Sequence, residues 1–218
     1  MEPIKSLQTK DFIVQMLREE VFSGGLKDGE ELAQEVLAEK LGVSRMPVRE
    51  ALQQLELEGV LLRLPNRHMQ VVGITPTYIK HNFLVLAAVE KEIVSILVEE
   101  NRSFQPALDA FKQYEAAVPL QGQEECAKRE LEIHTQLGYC LRNPYLAKVH
   151  DRLLSGYFAY SLRNFTKDWK VTLKEYRRLF KALKEKDMTT IYEVLRCYFE
   201  KAAQAAIGGI ANDQFKTN

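Results

Sequence analysis

LAEKLGVSRMPVREALQQLELEGVLLRLPNRH, residues 37–68, decides the fold of this chain. Leu37, Ala38 and Leu41 form an apolar face at helical spacing. Gly42 stands where a helix ends on a left-handed residue without a Cβ clash, and Val43 is then free to fill the angle to a second helix. Ser44 is an N-cap candidate for that helix, with Pro47 near its start, where a missing N–H costs little. Val48, Leu52 and Leu55 continue an inward face, and Gly59 ends the helix. Arg45 and Arg49 are four residues apart, so they share a face and point outward together. Glu50 can pair locally, while Gln53 and Gln54 extend the polar surface. LLRL (61–64) and MQVV (69–72) read as two short strands around Pro65-Asn66-Arg67-His68, with Asn66 tolerating a positive φ at the tip. Two helices joined by a tight turn and followed by a basic hairpin make a winged helix-turn-helix. Its arginine-bearing helix suits a DNA major groove, and Arg67 and His68 project from the wing toward a phosphate or a minor groove.

Working outward, charge constrains that reading. The chain has 218 residues, enough for one or two domains with a sizeable core, and its 30 basic and 30 acidic residues cancel. The first 75 residues are net acidic, so any DNA footprint must be local. Residues 59–89 contain no acid and carry Arg63, Arg67, His68, Lys80 and His81, whereas acids gather at 28–39. So modest a patch suggests binding by a dimer, because one module makes few phosphate contacts. Cys126, Cys140 and Cys197 are widely spaced and odd in number, which argues for buried reduced thiols rather than a disulfide framework. No signal peptide opens the chain and no apolar run approaches ~18 residues, so a cytoplasmic protein with no membrane partner is expected.

The domain boundary is expected at Gly73-Ile74-Thr75-Pro76, giving domains 1–75 and 76–218. Thr75 caps a long helix with Pro76 at its first position. From there the pattern is helical throughout, with helices near 76–100, 104–117, 121–141, 144–164, 168–186 and 188–207. The breaks are expected at Ser103, Pro119, Asn143-Pro144, Thr166-Lys167 and Lys186-Asp187. The expected fold is therefore mainly α, a winged helix-turn-helix with a small β-hairpin wing followed by an all-α bundle of six or seven helices. Phe83, Leu84, Leu86, Ala87, Ile93, Ile96 and Leu97 are expected to bury its core. His81 and His150 read as exposed helix residues. Tyr157, Phe158, Tyr160, Phe165 and Trp169 read as core or dimer surface rather than a ligand cage.

LGVSRMPVREALQQLELEGVL followed by PNR resembles the DNA-binding domain of GntR-type bacterial transcription regulators. Upstream, IVQMLREEVFSGGLKDGEEL is similar to that family's first helix and the G-x-L-x-x-G turn before the second. This resemblance runs from about residue 8 to 73. It implies that Arg45 and Arg49 contact operator bases and phosphates, that Ser44 touches backbone, and that the wing tip at Asn66, Arg67 and His68 adds a groove contact. Met46 and Pro47 lie within the same contact segment. Met46 stands where the family usually has Thr, Glu35 where some members carry a DNA-contacting Arg, and His68 where Gly is frequent.

Residues 76–207 resemble, more loosely, the all-helical effector-binding domain of that family's FadR branch, through ELEIHTQLGYCLRNPYL (130–146), KEYRRLFKALKEKD (174–187) and the closing helix around Tyr198. In many such domains an Asp and three His hold a divalent metal, which in turn holds an organic acid. The matching positions here are Glu130, His134, Tyr176 and Tyr198. A ligand-gripping Arg would be Leu86, with Glu90 retained. A phenol titrates near ~10 and ligates poorly at neutral pH, whereas a neutral imidazole ligates well. The expectation is a degenerate metal site, Glu130 and His134, with no metal and no other cofactor. Restoring imidazoles at 176 and 198 is expected to create metal binding.

Two readings of these residues stand side by side. One is an effector pocket that kept its cavity and lost its metal. The other is a filled core in which Tyr176, Tyr198, His134 and Glu130 hydrogen-bond one another. At the level of function, the expectation is a homodimeric regulator of a palindromic operator, modulated by a small-molecule effector. The alternatives are an effector-independent architectural DNA binder and a helical-pocket enzyme. The enzyme has little to build on, because nothing in the sequence pairs a nucleophile with its base or forms a phosphate-binding glycine loop.

Overall fold

The computed structural model describes residues 4–214 apart from Pro119, Gln121 and Thr166. Two of the expected helix breaks, Pro119 and Thr166, thus lie outside the described residues. The chain divides into two compact units, Met1–Tyr78 and Ile79–Asn218.

The first unit contains α1 (Ile4–Ser23), β1 (Glu31–Leu32), α2 (Gln34–Leu41), α3 (Arg45–Leu57), β2 (Leu61–Arg63) and β3 (Met69–Val71). Ile13, Val14, Leu17 and Val21 lie at helical spacing on α1 and are buried, as are Val48, Ala51, Leu52 and Leu55 on α3. The two stripes pack together, and burying each such side chain contributes about 1.5–3 kcal/mol. Arg18 on α1 reaches the end of α3, where its guanidinium donates to both Glu58 carboxylate oxygens at 2.8 Å. Gly42 ends α2 at φ 63°, and its left-handed turn aims α3 away from α2. The sheet is antiparallel in the order β1-β3-β2, with Leu32 opposite Met69 and Leu61 opposite Val71. The two-residue β1, absent from the sequence expectation, joins the wing to the segment before α2.

Two local expectations are corrected here. Ser44 does occupy the N-cap position of α3, but its hydroxyl makes no capping bond. An N-cap side chain reaches the second or third helical N–H, and the third residue here is Pro47, which has none. At the wing tip the positive φ falls on Arg67 (69°), not on Asn66. Asn66 instead turns the chain with its side chain, its Oδ1 accepting from the His68 N–H at 3.0 Å.

The second unit is all helical among the described residues: α4 (Pro76–Glu99), α5 (Gln105–Ala117), α6 (Gln123–Cys140), α7 (Pro144–Leu153), a π turn (Leu154–Phe158), α8 (Ala159–Asn164), α9 (Trp169–Glu185) and α10 (Met188–Gln214). The Thr75 hydroxyl accepts from the Tyr78 N–H at the start of α4. Asn143 caps α7 ahead of Pro144, accepting from Tyr145 and Leu146 N–H. Asp168 caps α9 by accepting from Lys170 and Val171 N–H. Helix α5 packs on α6, and α9 on α10.

The helix expected over 144–164 is interrupted by the π turn, where Gly156 leaves helical geometry at ψ −137°. That break lets Tyr157 and Phe158 both turn into the core, along with Tyr160 and Phe165. The last helix does not stop at 207 but runs through Gly208 and Gly209 to Gln214. Leu84, expected in the core, is half exposed beside Val85 on the outer face of α4. Cys126, Cys140 and Cys197 form no disulfide, and the first two are buried.

Candidate functional site

In the first unit the polar face of α3 follows from its apolar one. With Pro47, Val48, Ala51 and Leu52 buried, Arg45 and Arg49 are forced outward one turn apart, and Met46 is exposed between them. Arg45 does not stand alone: its Nη1 donates to Glu35 Oε1 on α2 at 3.3 Å. Wing residue His68 leans the same way, Nδ1 lying 3.2 Å from Glu31 Oε2, which Asn66 also meets. Arg63 on β2 is clamped by Glu56, with contacts of 2.6 and 2.9 Å. Arg49 and Arg67 make no ion pair among the described residues. Two arginines thus stand without an ion pair, one on α3 and one at the wing tip, beside cations held in exposed pairs. Exposed pairs of this kind contribute about 0–1 kcal/mol and exchange readily for a phosphate.

In the second unit the expected pocket residues do converge, from positions far apart in sequence. Glu90 on α4, Glu130 and His134 on α6, Tyr176 on α9 and Tyr198 on α10 are all buried. Glu130 Oε1 accepts from the Tyr198 hydroxyl at 2.5 Å and from the Tyr176 hydroxyl at 3.4 Å. Tyr176 also hydrogen-bonds His134 Nε2 at 2.6 Å. His134 Nδ1 donates to Glu90 Oε1 at 2.5 Å. These are the contacts of the filled-core reading. Leu86 is buried one turn before Glu90.

Two further members were not anticipated. His150, expected to be exposed, is fully buried, and its Nε2 donates to Glu90 Oε1 at 3.1 Å. It fits because Gly138 faces it: a Cβ there would lie 2.5 Å from His150 Nδ1. Lys167, just before α9, places its Nζ 2.5 Å from Glu130 Oε1. Their partners lie 60 and 37 residues away, so no local pattern marks either residue.

The electrostatics follow from burial and pairing. Burial alone would raise the Glu90 carboxyl, but the neighbouring His134 and His150 outweigh it and lower it from 4.5 to about 2. Burial and then the nearby Tyr198 and Glu130 push the Tyr176 phenol well above its ordinary value; burial and Glu130 do the same to Tyr198. Both phenols are therefore donors, not anionic ligands. Burial lowers the Lys167 ammonium, opposed by Glu130.

The metal that the resemblance implies does not fit this donor set. Two of the four positions are protonated phenols, and an ammonium already sits on the carboxylate. Among the described residues no three His, Cys, Asp or Glu side chains are disposed to hold a metal ion.

Two cavities border this interior. One of about 630 Å³ runs between α4 and α10, lined by Phe83, Leu84, Ala87, Tyr192, Leu195 and Phe199. Another, of about 250 Å³, lies between α9 and α10 and is bordered by Lys167, Thr172, Glu175, Tyr198 and Lys201. No helix among the described residues is long and apolar enough to cross a membrane.

Comparison with known proteins agrees with both halves. Residues 9–71 match the family described as bacterial regulatory proteins, gntR family, and residues 83–201 match the FCD domain. An uncharacterized HTH-type transcriptional regulator of Bacillus subtilis, YdhC, is 22% identical over 188 residues, covering 84% of each chain. Among solved structures, Lar, which controls expression of the Listeria monocytogenes agr system, superposes with a TM-score of 0.68 at 17% identity, over 90% of this chain and 95% of that one. A putative transcriptional regulator GntR from Rhodococcus sp. RHA1 gives 0.63 at 17% identity, over 91% and 97%.

Proposed function

Because the chain belongs to the gntR family of bacterial regulatory proteins and pairs its helix-turn-helix with an FCD domain, we propose that it acts in the cytoplasm as a homodimer on a palindromic operator, under control of a small-molecule effector. The family is one of DNA-binding transcription regulators, and its relatives are regulators rather than enzymes. One observation carries the reading: Arg45 and Arg49 stand one turn apart on the exposed face of α3, whose other face is locked into a core. Two guanidinium groups on one exposed helix face suit the base edges and phosphates of a major groove. Ser44, Met46 and Pro47 would flank them at the groove. Asn66, Arg67 and His68 would bring the wing against the backbone or minor groove.

Dimerisation is supported by two features. A single head offers two unmasked arginines, too few phosphate contacts for tight binding alone. The helical unit leaves Leu84 and Val85 half exposed on α4, beside the larger cavity. The expected pocket beside Leu86 is filled by the hydrogen-bonded cluster of Glu90, Glu130, His134, Tyr176 and Tyr198, so the effector is assigned to the smaller cavity at its edge, which Tyr198 borders. It would act by favouring one arrangement of the two heads over another.

Selection of bound sequences from a random duplex pool tests the first claim. It should return one short two-fold-symmetric sequence, and light scattering should give twice the chain mass. A recovered pool without symmetry, or binding insensitive to sequence, would refute the regulator as described.

A further inference from the structure

We propose that Lys167 is the resident cation of the buried site in the helical unit: its ammonium, fixed on Glu130, takes the place of a bound metal ion and keeps metal out. Glu130 is fully buried. A buried carboxylate is strongly destabilising unless a charge and hydrogen bonds compensate it. Its phenol neighbours, Tyr176 and Tyr198, donate hydrogen bonds but carry no charge. His134 is committed on its other side, with Nδ1 on Glu90. Lys167 is the one cation in ion-pair contact with Glu130 among the described residues, at 2.5 Å.

Its placement is fixed from two directions. The next residue, Asp168, caps α9 and so pins the backbone beside Lys167. The ammonium is also covered by rings, lying 4.8 Å from the Trp169 centroid and 5.4 Å from that of Tyr198, both favourable for a cation. A divalent ion entering here would meet a like charge at contact distance and find one imidazole, His134, where three are needed. The expectation that histidines at 176 and 198 suffice for metal binding is revised accordingly: the lysine must also go. Lys167 borders the smaller cavity as well, so the tethered ammonium forms part of its wall.

The test uses the full chain and Zn²⁺ alone as probe. Chelator-treated wild type should retain no metal by elemental analysis, and its Tm should not respond to Zn²⁺. Lys167→Met should lower Tm by on the order of 10 °C, because it strands a buried charge. Adding Glu130→Gln should recover most of that loss, and Lys167→Arg should lose much less. Tyr176→His with Tyr198→His should bind Zn²⁺ at least tenfold more weakly than the same pair combined with Lys167→Met. If Lys167→Met fails to fold, a folded Lys167→Met/Glu130→Gln protein supports the proposal and an unfolded one overturns it. Stoichiometric Zn²⁺ in wild type, no rescue by Glu130→Gln, or equal Zn²⁺ affinity with and without Lys167 would each overturn it. None of these readouts involves DNA, so the proposal stands or fails separately from the operator assignment.

Discussion

The two halves of this molecule handle charge in opposite ways. In the helix-turn-helix unit the half-buried Arg18–Glu58 pair ties α1 to the end of α3, but the pairs on the face that carries Arg49 and the wing are exposed: Arg45 with Glu35, Arg63 with Glu56. In the helical unit they are buried and joined across the fold, Glu90 with His134 and His150, and Glu130 with Lys167. Exposed pairs cost little to open, so their side chains are available to a partner. Buried pairs hold the interior in one arrangement, and removing one member leaves a charge without water or counter-ion. Substitutions in the first set should therefore change binding and spare stability, and substitutions in the second should do the reverse.

The largest effect that would sharpen this contrast is on operator affinity. Changing Arg45 and Arg49 together to Ala should remove ~1–3 kcal/mol per contact in each subunit and abolish specific binding in gel shifts, with Tm unchanged. Retained affinity would mean that α3 is not the reading helix. Next comes Glu90→Gln. Because the Glu90 carboxyl is lowered to about 2 in the fold, its ionised form stabilises the protein above the ordinary value of 4.5. That contribution fades as pH falls from 4.5 toward 2. Urea titrations should show a loss of about 3 kcal/mol at pH 7, shrinking steadily below pH 4.5. A pH-independent deficit would point to shape rather than charge.

Smaller still is Arg67→Ala. It should weaken binding to all sequences alike and reduce the slope of log K against log salt by about 1 per subunit. Loss confined to particular base substitutions would instead make Arg67 a base reader. The smallest effect belongs to Glu35→Gln, which releases Arg45 from an exposed pair. Affinity should rise by no more than about fivefold, in line with ~0–1 kcal/mol for such a contact. A drop in affinity would recast Glu35 as the residue that positions Arg45.

How far each half could be read from sequence follows the same division. The helix-turn-helix was legible because its determinants are contiguous: Gly42, Val48, Leu52, Leu55 and Gly59 impose the turn and the inward face within 18 residues. Its errors were local ones, where two similar backbone solutions compete. The strained φ moved from Asn66 to Arg67 because the Asn side chain was worth more as an acceptor. In the helical unit the helix starts were legible from the Thr75-Pro76 cap and the break at Asn143-Pro144, while the cap at Asp168 was not read. The chemistry was only partly so. Glu130 and His134 are one turn apart and visible as a pair, but His150 looked like any polar helix residue. Its burial depends on Glu90, 60 residues away, and on the missing side chain at Gly138. Lys167 carried no signal, since nothing local distinguishes it from a solvated lysine at a helix start.

The acid-clamped arginines around the wing and α3 have a kinetic consequence. A regulator must find one short site among a very large excess of unrelated duplex, and every free cation lengthens its stay on the wrong sequence. On the proposed reading, Arg45, Arg63 and His68 each lean on a carboxylate, so random DNA would meet fewer free cations and be released sooner. On that reading, a groove that offers Arg45 a better partner than Glu35 would open the clamp, and dwell time, rather than first contact, would be where the operator is told from the rest of the chromosome.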